Sequence, residues 1–243
     1  MHYEIVEQSG EKVVILTTSV WQAEVVVSNN ANLIKLRHRE SGLDILRTPD
    51  SLETLREQPE RYGMPLLFPL GRIAGGGYCW NGREYKFPLN DPDNNCNLHG
   101  LITGHPWGFG GIDESGDKTV MTLSFTHDRQ KDSFKGYPHE FKLILRYIFT
   151  PDAVVQRSEV HNQSDKPMPF GLGFHSAFNL PEATSRLMVT TGAEYYEISQ
   201  TTKVPTGRRL PLPEALDYRQ PGGRQPGQHA AGVLTTIQPM NDL

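Results

Sequence analysis

The stretch EFKLILRYIFT places Phe141, Leu143, Leu145, Tyr147 and Phe149 at every second position. A period of two lines all five side chains on one face of an extended strand, whereas a helix would scatter them around its axis. Lys142 and Arg146 then belong to the opposite face. One such stripe commits the chain to a sheet with a buried face, and that face needs a second layer to cover it.

The same pattern returns along the chain. In TVMTLSFTH, Met121, Leu123 and Phe125 alternate with Thr122, Ser124 and Thr126, and shorter runs occur in AEVVVS, NLIKLRH and AVVQRSEVHN. ESGD, TPDA and NQSDKP carry the Gly, Pro, Asp and Asn that turns require. Helix is scarce. Its strongest candidate is PDSLETLREQPER, with Asp50 as cap, Glu53 three residues later and Pro59 as a stop. The tail from Gly207 onward is dense in Pro, Gly and Gln, and reads as loop or an extended covering strand. No internal repeat or low-complexity tract is present. The expectation is an all-β fold: one domain over residues 1–243, a large antiparallel β-sandwich with few short helices.

Composition narrows the function. Hydrophobic residues make up 37% of the 243, enough for a sizeable core, and the formal net charge is −4. Nucleic-acid binding needs a basic face for phosphates, so no nucleic-acid partner is expected. No apolar run approaches the roughly 18 residues of a membrane helix, so no membrane partner is expected either. The polar, acidic start MHYEIVEQSGEK does not read as a signal peptide. Cys79 and Cys96 lack a metal-binding or redox spacing, which suits a reduced, cytoplasmic protein, with a Cys79–Cys96 disulfide as the alternative.

Three stretches could carry chemistry. PFGLGFHSAFN sets His175 between two phenylalanines, where a core histidine with a partner and a pocket histidine that moves protons both fit. FPLGRIAGGGYCWNG is neither a dinucleotide fingerprint nor a phosphate loop; its glycines suit a close approach of strands or of a ligand. Within it, Arg72 lies among apolar residues, a costly place for a charge without an anionic or strongly hydrogen-bonding neighbour. An Arg paired to a carboxylate at a sheet edge is the structural alternative. NNCNLHGLITGHPWGF holds His99, His105 and Trp107. No HxH or HxxxH spacing joins these histidines, so the site is expected to be metal-free. Trp107 fits either the core or a partly exposed position that stacks on a sugar face. His127, amid the charges of THDRQ, is expected to face solvent. Ser176 lacks the GxSxG setting of a nucleophile.

Taken in order, GMPLLFPLGRIAGGGYCWNGREYKFPLN, NLHG with its following Trp, FGLGFHSAFN, VPTG and LDYR closely resemble the aldose 1-epimerases, the galactose mutarotase family, from residue 24 to about 220. The resemblance implies a galactose-mutarotase-like sandwich with a sugar cleft, and interconversion of the α and β anomers of aldohexoses with no cofactor. It assigns the general acid to His175, the second pocket histidine to His99 and sugar binding to Arg72. Trp107 joins them as the aromatic wall.

The resemblance also implies a glutamate base near the C-terminus, preceded by a sugar-binding aspartate. Asp242 falls roughly where that aspartate belongs, with Asn241 competing for the register. No glutamate fills the base motif before Leu243, so the chain is expected to lack the last strands of the sandwich. Two other readings stay open: an epimerase for hexose 6-phosphates, for which Arg208 and Arg209 offer charge, and a sugar-binding module without turnover.

Overall fold

The computed structural model describes residues 1–128, 136–180, 194–211 and 234–235. A first antiparallel sheet is formed in sequence order by β1 (His2–Gln8), β2 (Glu11–Thr17), β3 (Trp21–Val26) and β4 (Asn32–His38). Helix α1 (Leu52–Glu57) follows, then five short strands: β5 (Leu66–Leu67), β6 (Arg72–Ala74), β7 (Gly77–Trp80), β8 (Arg83–Lys86) and β9 (Cys96–Leu98). A second four-stranded antiparallel sheet contains β10 (Gly108–Ser115), β11 (Lys118–His127), β12 (Phe141–Phe149) and β13 (Val154–Asn162), again in sequence order. After it come β14 (Gly173–Phe174), β15 (Glu194–Ile198), β16 (Pro205–Leu210) and β17 (Leu234–Thr235).

The stripe that fixed the fold class behaves as its period requires. Phe141, Leu143, Leu145 and Tyr147 of β12 are fully buried and Phe149 is 1% exposed. They share one core with Met121 and Leu123 of β11 and with Val14, Leu16, Ala23, Val25, Leu33 and Leu36 of the first sheet. Each such side chain contributes roughly 1.5–3 kcal/mol by leaving water. Polar links also cross between the sheets. The Tyr147 hydroxyl donates to the Ala31 carbonyl at 3.0 Å, and the Trp21 indole donates to the Thr150 carbonyl at 2.7 Å.

Three local expectations change. Ser51 caps α1 in place of Asp50: its backbone is extended, and its hydroxyl accepts from the Thr54 amide at 3.1 Å. Pro59 ends the α-helix but opens a 3-10 turn over Pro59–Arg61, where a proline lacking its amide costs nothing. His127 is 3% exposed, not solvent-facing. Strand β11 keeps its alternation to its last residue, which puts His127 on the same face as Met121 and Leu123. There its ring meets Phe141 edge-on at 5.1 Å.

Cys79 is exposed, Cys96 is buried, and both are free thiols rather than a disulfide. No helix among the described residues is long and apolar enough to cross a membrane.

Candidate functional site

The site is assembled by two short pairings outside the large sheets. Strands β6 and β9 pair antiparallel with Arg72 opposite Leu98, which brings His99, the next residue, beside the start of β6. The His99 amide donates to the Gly71 carbonyl at 2.9 Å and closes that corner. His99 itself has φ +61°, a left-handed conformation uncommon for a residue with a Cβ. Gly100 follows at φ +71°, and the Leu101 amide donates to the Phe68 carbonyl at 2.7 Å. Two successive left-handed residues turn the chain sharply enough to swing the imidazole off the strand.

His175 arrives from a different part of the chain. Strand β14 pairs with β5, Gly173 opposite Leu67 and Phe174 opposite Leu66, and the His175 amide donates to the Pro65 carbonyl at 3.0 Å. Its side chain is exposed. The His99 and His175 rings lie 5.4 Å apart at 69°, edge to face. Residues 76 positions apart in sequence therefore share one surface, and Arg72 is close enough to act on His99 electrostatically.

These neighbours set the charge states. His99 is pulled from the ordinary 6.5 down to about 4, first by burial and then by His175 and Arg72, with Asp91 opposing. It is a neutral imidazole at neutral pH, able to donate from one nitrogen and accept at the other. Its Nδ1 is buried and has no hydrogen-bond partner among the described residues. Between the two pKa values the unfolded chain binds a proton that the folded chain refuses. Stability should therefore fall as pH drops from about 6.5 toward 4. Replacing His99 by Asn should remove about 1–2 kcal/mol of that acid sensitivity, after allowance for solvent screening of a part-exposed ring. Urea midpoints at pH 7 and pH 4.5 measure it; equal losses in both proteins would contradict a buried neutral ring.

Arg72 follows the alternative considered for it, a pairing with a carboxylate. Its Nε donates to Asp91 Oδ2 at 2.7 Å, while Asn94 donates to Oδ1 at 2.8 Å. Those bonds, the one from Arg72 first, hold the Asp91 carboxyl below its usual range. The Arg72 side chain is 31% exposed, and its Nη groups make no hydrogen bond among the described residues.

Trp107 departs from the partly exposed indole expected of an aromatic wall. It is 6% exposed and packs within the main core, 5.7 Å from Phe125, because its amide is tied to the Val27 carbonyl at 3.0 Å. Its indole nitrogen is buried without a partner among the described residues. Asp242 lies outside the described residues. Among those residues, no group of three or more His, Cys, Asp or Glu side chains is gathered as a metal would require.

Two supporting residues escaped the sequence reading. Asp91 orients Arg72, and Asn90 brackets Leu98, accepting from its amide at 2.6 Å and donating to its carbonyl at 2.9 Å. Both stand in LNDPDNNCNLHG, where the concentration of Asn and Asp before a histidine is the signal that could have found them.

The profile of the aldose 1-epimerase family matches residues 22–225. Galactose mutarotase from Rattus norvegicus is 30% identical over 174 residues, 69% of this chain and 47% of the rat protein. The Mus musculus galactose mutarotase is 31% identical over 178 residues, with the same shares. The chain thus spans about half the length of the curated relatives it matches. Among solved structures, a galactose mutarotase-like protein from Clostridium acetobutylicum gives a TM-score of 0.81 at 27% identity, covering 91% of this chain and 68% of that one. Galactose 1-epimerase from Lactobacillus acidophilus gives 0.70 at 21% identity, over 90% and 66%, a likeness of fold alone. The architecture is the galactose mutarotase-like β-sandwich.

Proposed function

The chain belongs to the aldose 1-epimerase family, and on that premise we propose that it interconverts the α and β anomers of an aldohexose by acid–base opening of the ring. The observation that carries this reading is the meeting of His99 and His175, rings 5.4 Å apart, from two separate pairings beside Arg72.

Anomer exchange needs a proton delivered to the ring oxygen and another removed from the C1 hydroxyl. The C1–O5 bond then breaks, C1 becomes an aldehyde carbon, rotation about C1–C2 exposes its other face, and reclosure gives the second anomer. His175 is assigned the proton donor: its ring is exposed at the site, where a bound sugar can reach it, and an imidazolium can pass a proton to the ring oxygen. His99, held neutral, cannot deliver a proton as a cation and is assigned to grip a sugar hydroxyl. Arg72, anchored through Nε, offers its Nη donors to a second hydroxyl. Asp91 is unsuited as the base, since both its oxygens are bonded and those bonds lower its pKa. The base is left to a carboxylate outside this cluster, where the family resemblance puts a glutamate.

A free sugar is preferred over a hexose 6-phosphate. Arg208, one of the two arginines offered for a phosphate, pairs with Glu197 at 3.3 Å. Following the optical rotation of freshly dissolved α-galactose, α-glucose and glucose 6-phosphate separates the readings. Acceleration with the free sugars supports the proposal, acceleration with the phosphate alone supports the phosphate variant, and binding without acceleration reduces the protein to a sugar-binding module. Replacing Arg72 by Lys loses the fork geometry and should raise KM roughly 10-fold or more, with kcat changed less. An unchanged KM would remove Arg72 from the binding site.

A further inference from the structure

Resting on that reading, we propose that three side-chain amides, those of the buried Asn30 and Asn32 and the half-buried Gln156, are positioning residues that set the height of His175. The stretch carrying His175 is tied to the segment from Gly63 to Leu67 through backbone bonds. Ala177 donates to the Gly63 carbonyl at 2.8 Å, His175 to Pro65 at 3.0 Å, and Gly173 lies opposite Leu67. The bond from His175 to Pro65 couples the height of the imidazole to that segment, while Ala177 and Asn179 also pair with Arg47 and Ile45.

The segment is clamped from the side away from His175 by the amides. Asn32, 1% exposed, accepts from the Met64 amide at 2.8 Å and donates to the Tyr62 carbonyl at 2.9 Å, bracketing Gly63. Gln156 of β13 donates to the Met64 carbonyl at 2.9 Å, so Met64 is held at both its backbone groups. Asn30, also 1% exposed, donates to the Leu66 carbonyl at 2.9 Å. The Tyr147 hydroxyl backs the cluster, taking the Leu33 amide at 3.3 Å and a second, longer bond from Gln156 at 3.4 Å. Gly63 permits the contact. At φ +69° its Cβ would stand 2.4 Å from the Leu33 carbonyl oxygen and 2.5 Å from Asn32 Oδ1.

A core that only needed filling would use apolar side chains, because a buried amide loses water and regains nothing unless it is bonded. Dispersion contacts also tolerate sliding, whereas hydrogen bonds to successive peptide groups fix a segment in height and register. The four carbonyl and amide groups held here, Tyr62 O, Met64 N, Met64 O and Leu66 O, flank the carbonyl of Pro65 that receives His175. A supporting amide is therefore worth more to the geometry of the imidazole than to packing.

Gln156→Met tests this, since methionine keeps length and volume but cannot donate. The positioning role predicts a fall in kcat of roughly 10–100-fold with KM within about 3-fold, the cost of a displaced catalytic group. It also predicts a shift of the His175 ring Cε1–Hε1 resonance. Leu16→Ala, a core deletion in β2, supplies the control: it should lower Tm without moving either readout. Should Gln156→Met fail to fold, Tyr147→Phe removes the backing hydroxyl alone and is judged by the same readouts. A variant that loses Tm but keeps kcat and the His175 resonance would overturn the proposal, leaving the amides a packing role. If the unaltered protein proves inactive on free and phosphorylated sugars, the functional reading falls, and the resonance still decides whether the amides position His175.

Discussion

Replacing His175 by Asn in the full-length protein should cost roughly 10²–10⁴-fold in kcat while the fold and most sugar affinity remain. The side chain is exposed, so its removal leaves no cavity, and its backbone bond to Pro65 is independent of the ring. Asparagine can still donate a hydrogen bond to the ring oxygen but cannot transfer the proton. The loss should therefore appear in kcat rather than KM, as expected for an interaction made in the transition state. The neighbouring ring is a poor substitute, because burial and Arg72 still hold the His99 pKa below the ordinary histidine value once His175 is gone. Retained turnover in His175→Asn, with thermal stability unchanged, would return His175 to the role of a surface histidine.

The second large effect falls on stability. Gly100→Ala should destabilise the protein by roughly 2–5 kcal/mol, the sum of left-handed strain and forced overlap. Gly100 has φ +71°, and an added Cβ would lie 2.3–2.5 Å from Pro69 Cδ, Pro69 N and the Phe68 carbonyl oxygen. Most of these are backbone or ring atoms that cannot swing aside, and His99 is attached directly to the displaced residue. Gly104 provides the comparison. It has φ +76° but open space where its Cβ would go, so Gly104→Ala should cost about 1–2 kcal/mol from conformation alone. Urea denaturation of the two variants isolates the steric part. Equal losses would mean that the chain at Gly100 relaxes freely.

The sandwich was legible because its signal is local. Each strand carries its own period-two stripe, and the stripe in β12 appears in the structure with all five predicted side chains buried. Even the miss at His127 obeys that rule, since the charged neighbours suggested exposure while strand parity put the ring inside. Trp107 shows the converse. Its neighbours suggested a site, but a backbone bond to Val27 seats it in the core.

The site was legible only through motif resemblance. No periodicity joins Arg72, His99 and His175; the pairings of β6 with β9 and of β5 with β14 bring them together. An arginine among apolar residues announced the need for a partner but could not point to Asp91, whose position depends on the turn before β9. The amides of Asn30, Asn32 and Gln156 left still less trace. Asn32 and Gln156 are 124 positions apart, in β4 of one sheet and β13 of the other, and both close on Met64. Buried side chain to backbone bonds of this kind have no sequence period to betray them.

The proposed activity is the exchange of aldohexose anomers at the His99–His175 surface. Two-dimensional proton exchange spectroscopy on equilibrated galactose measures that exchange directly, because the α and β anomeric protons resonate separately. With the full-length protein present, cross-peaks linking the two anomeric protons should grow with mixing time in proportion to protein concentration, and His175→Asn should abolish them. Cross-peaks absent with the unaltered protein, or equally strong with His175→Asn, would contradict anomer exchange through His175.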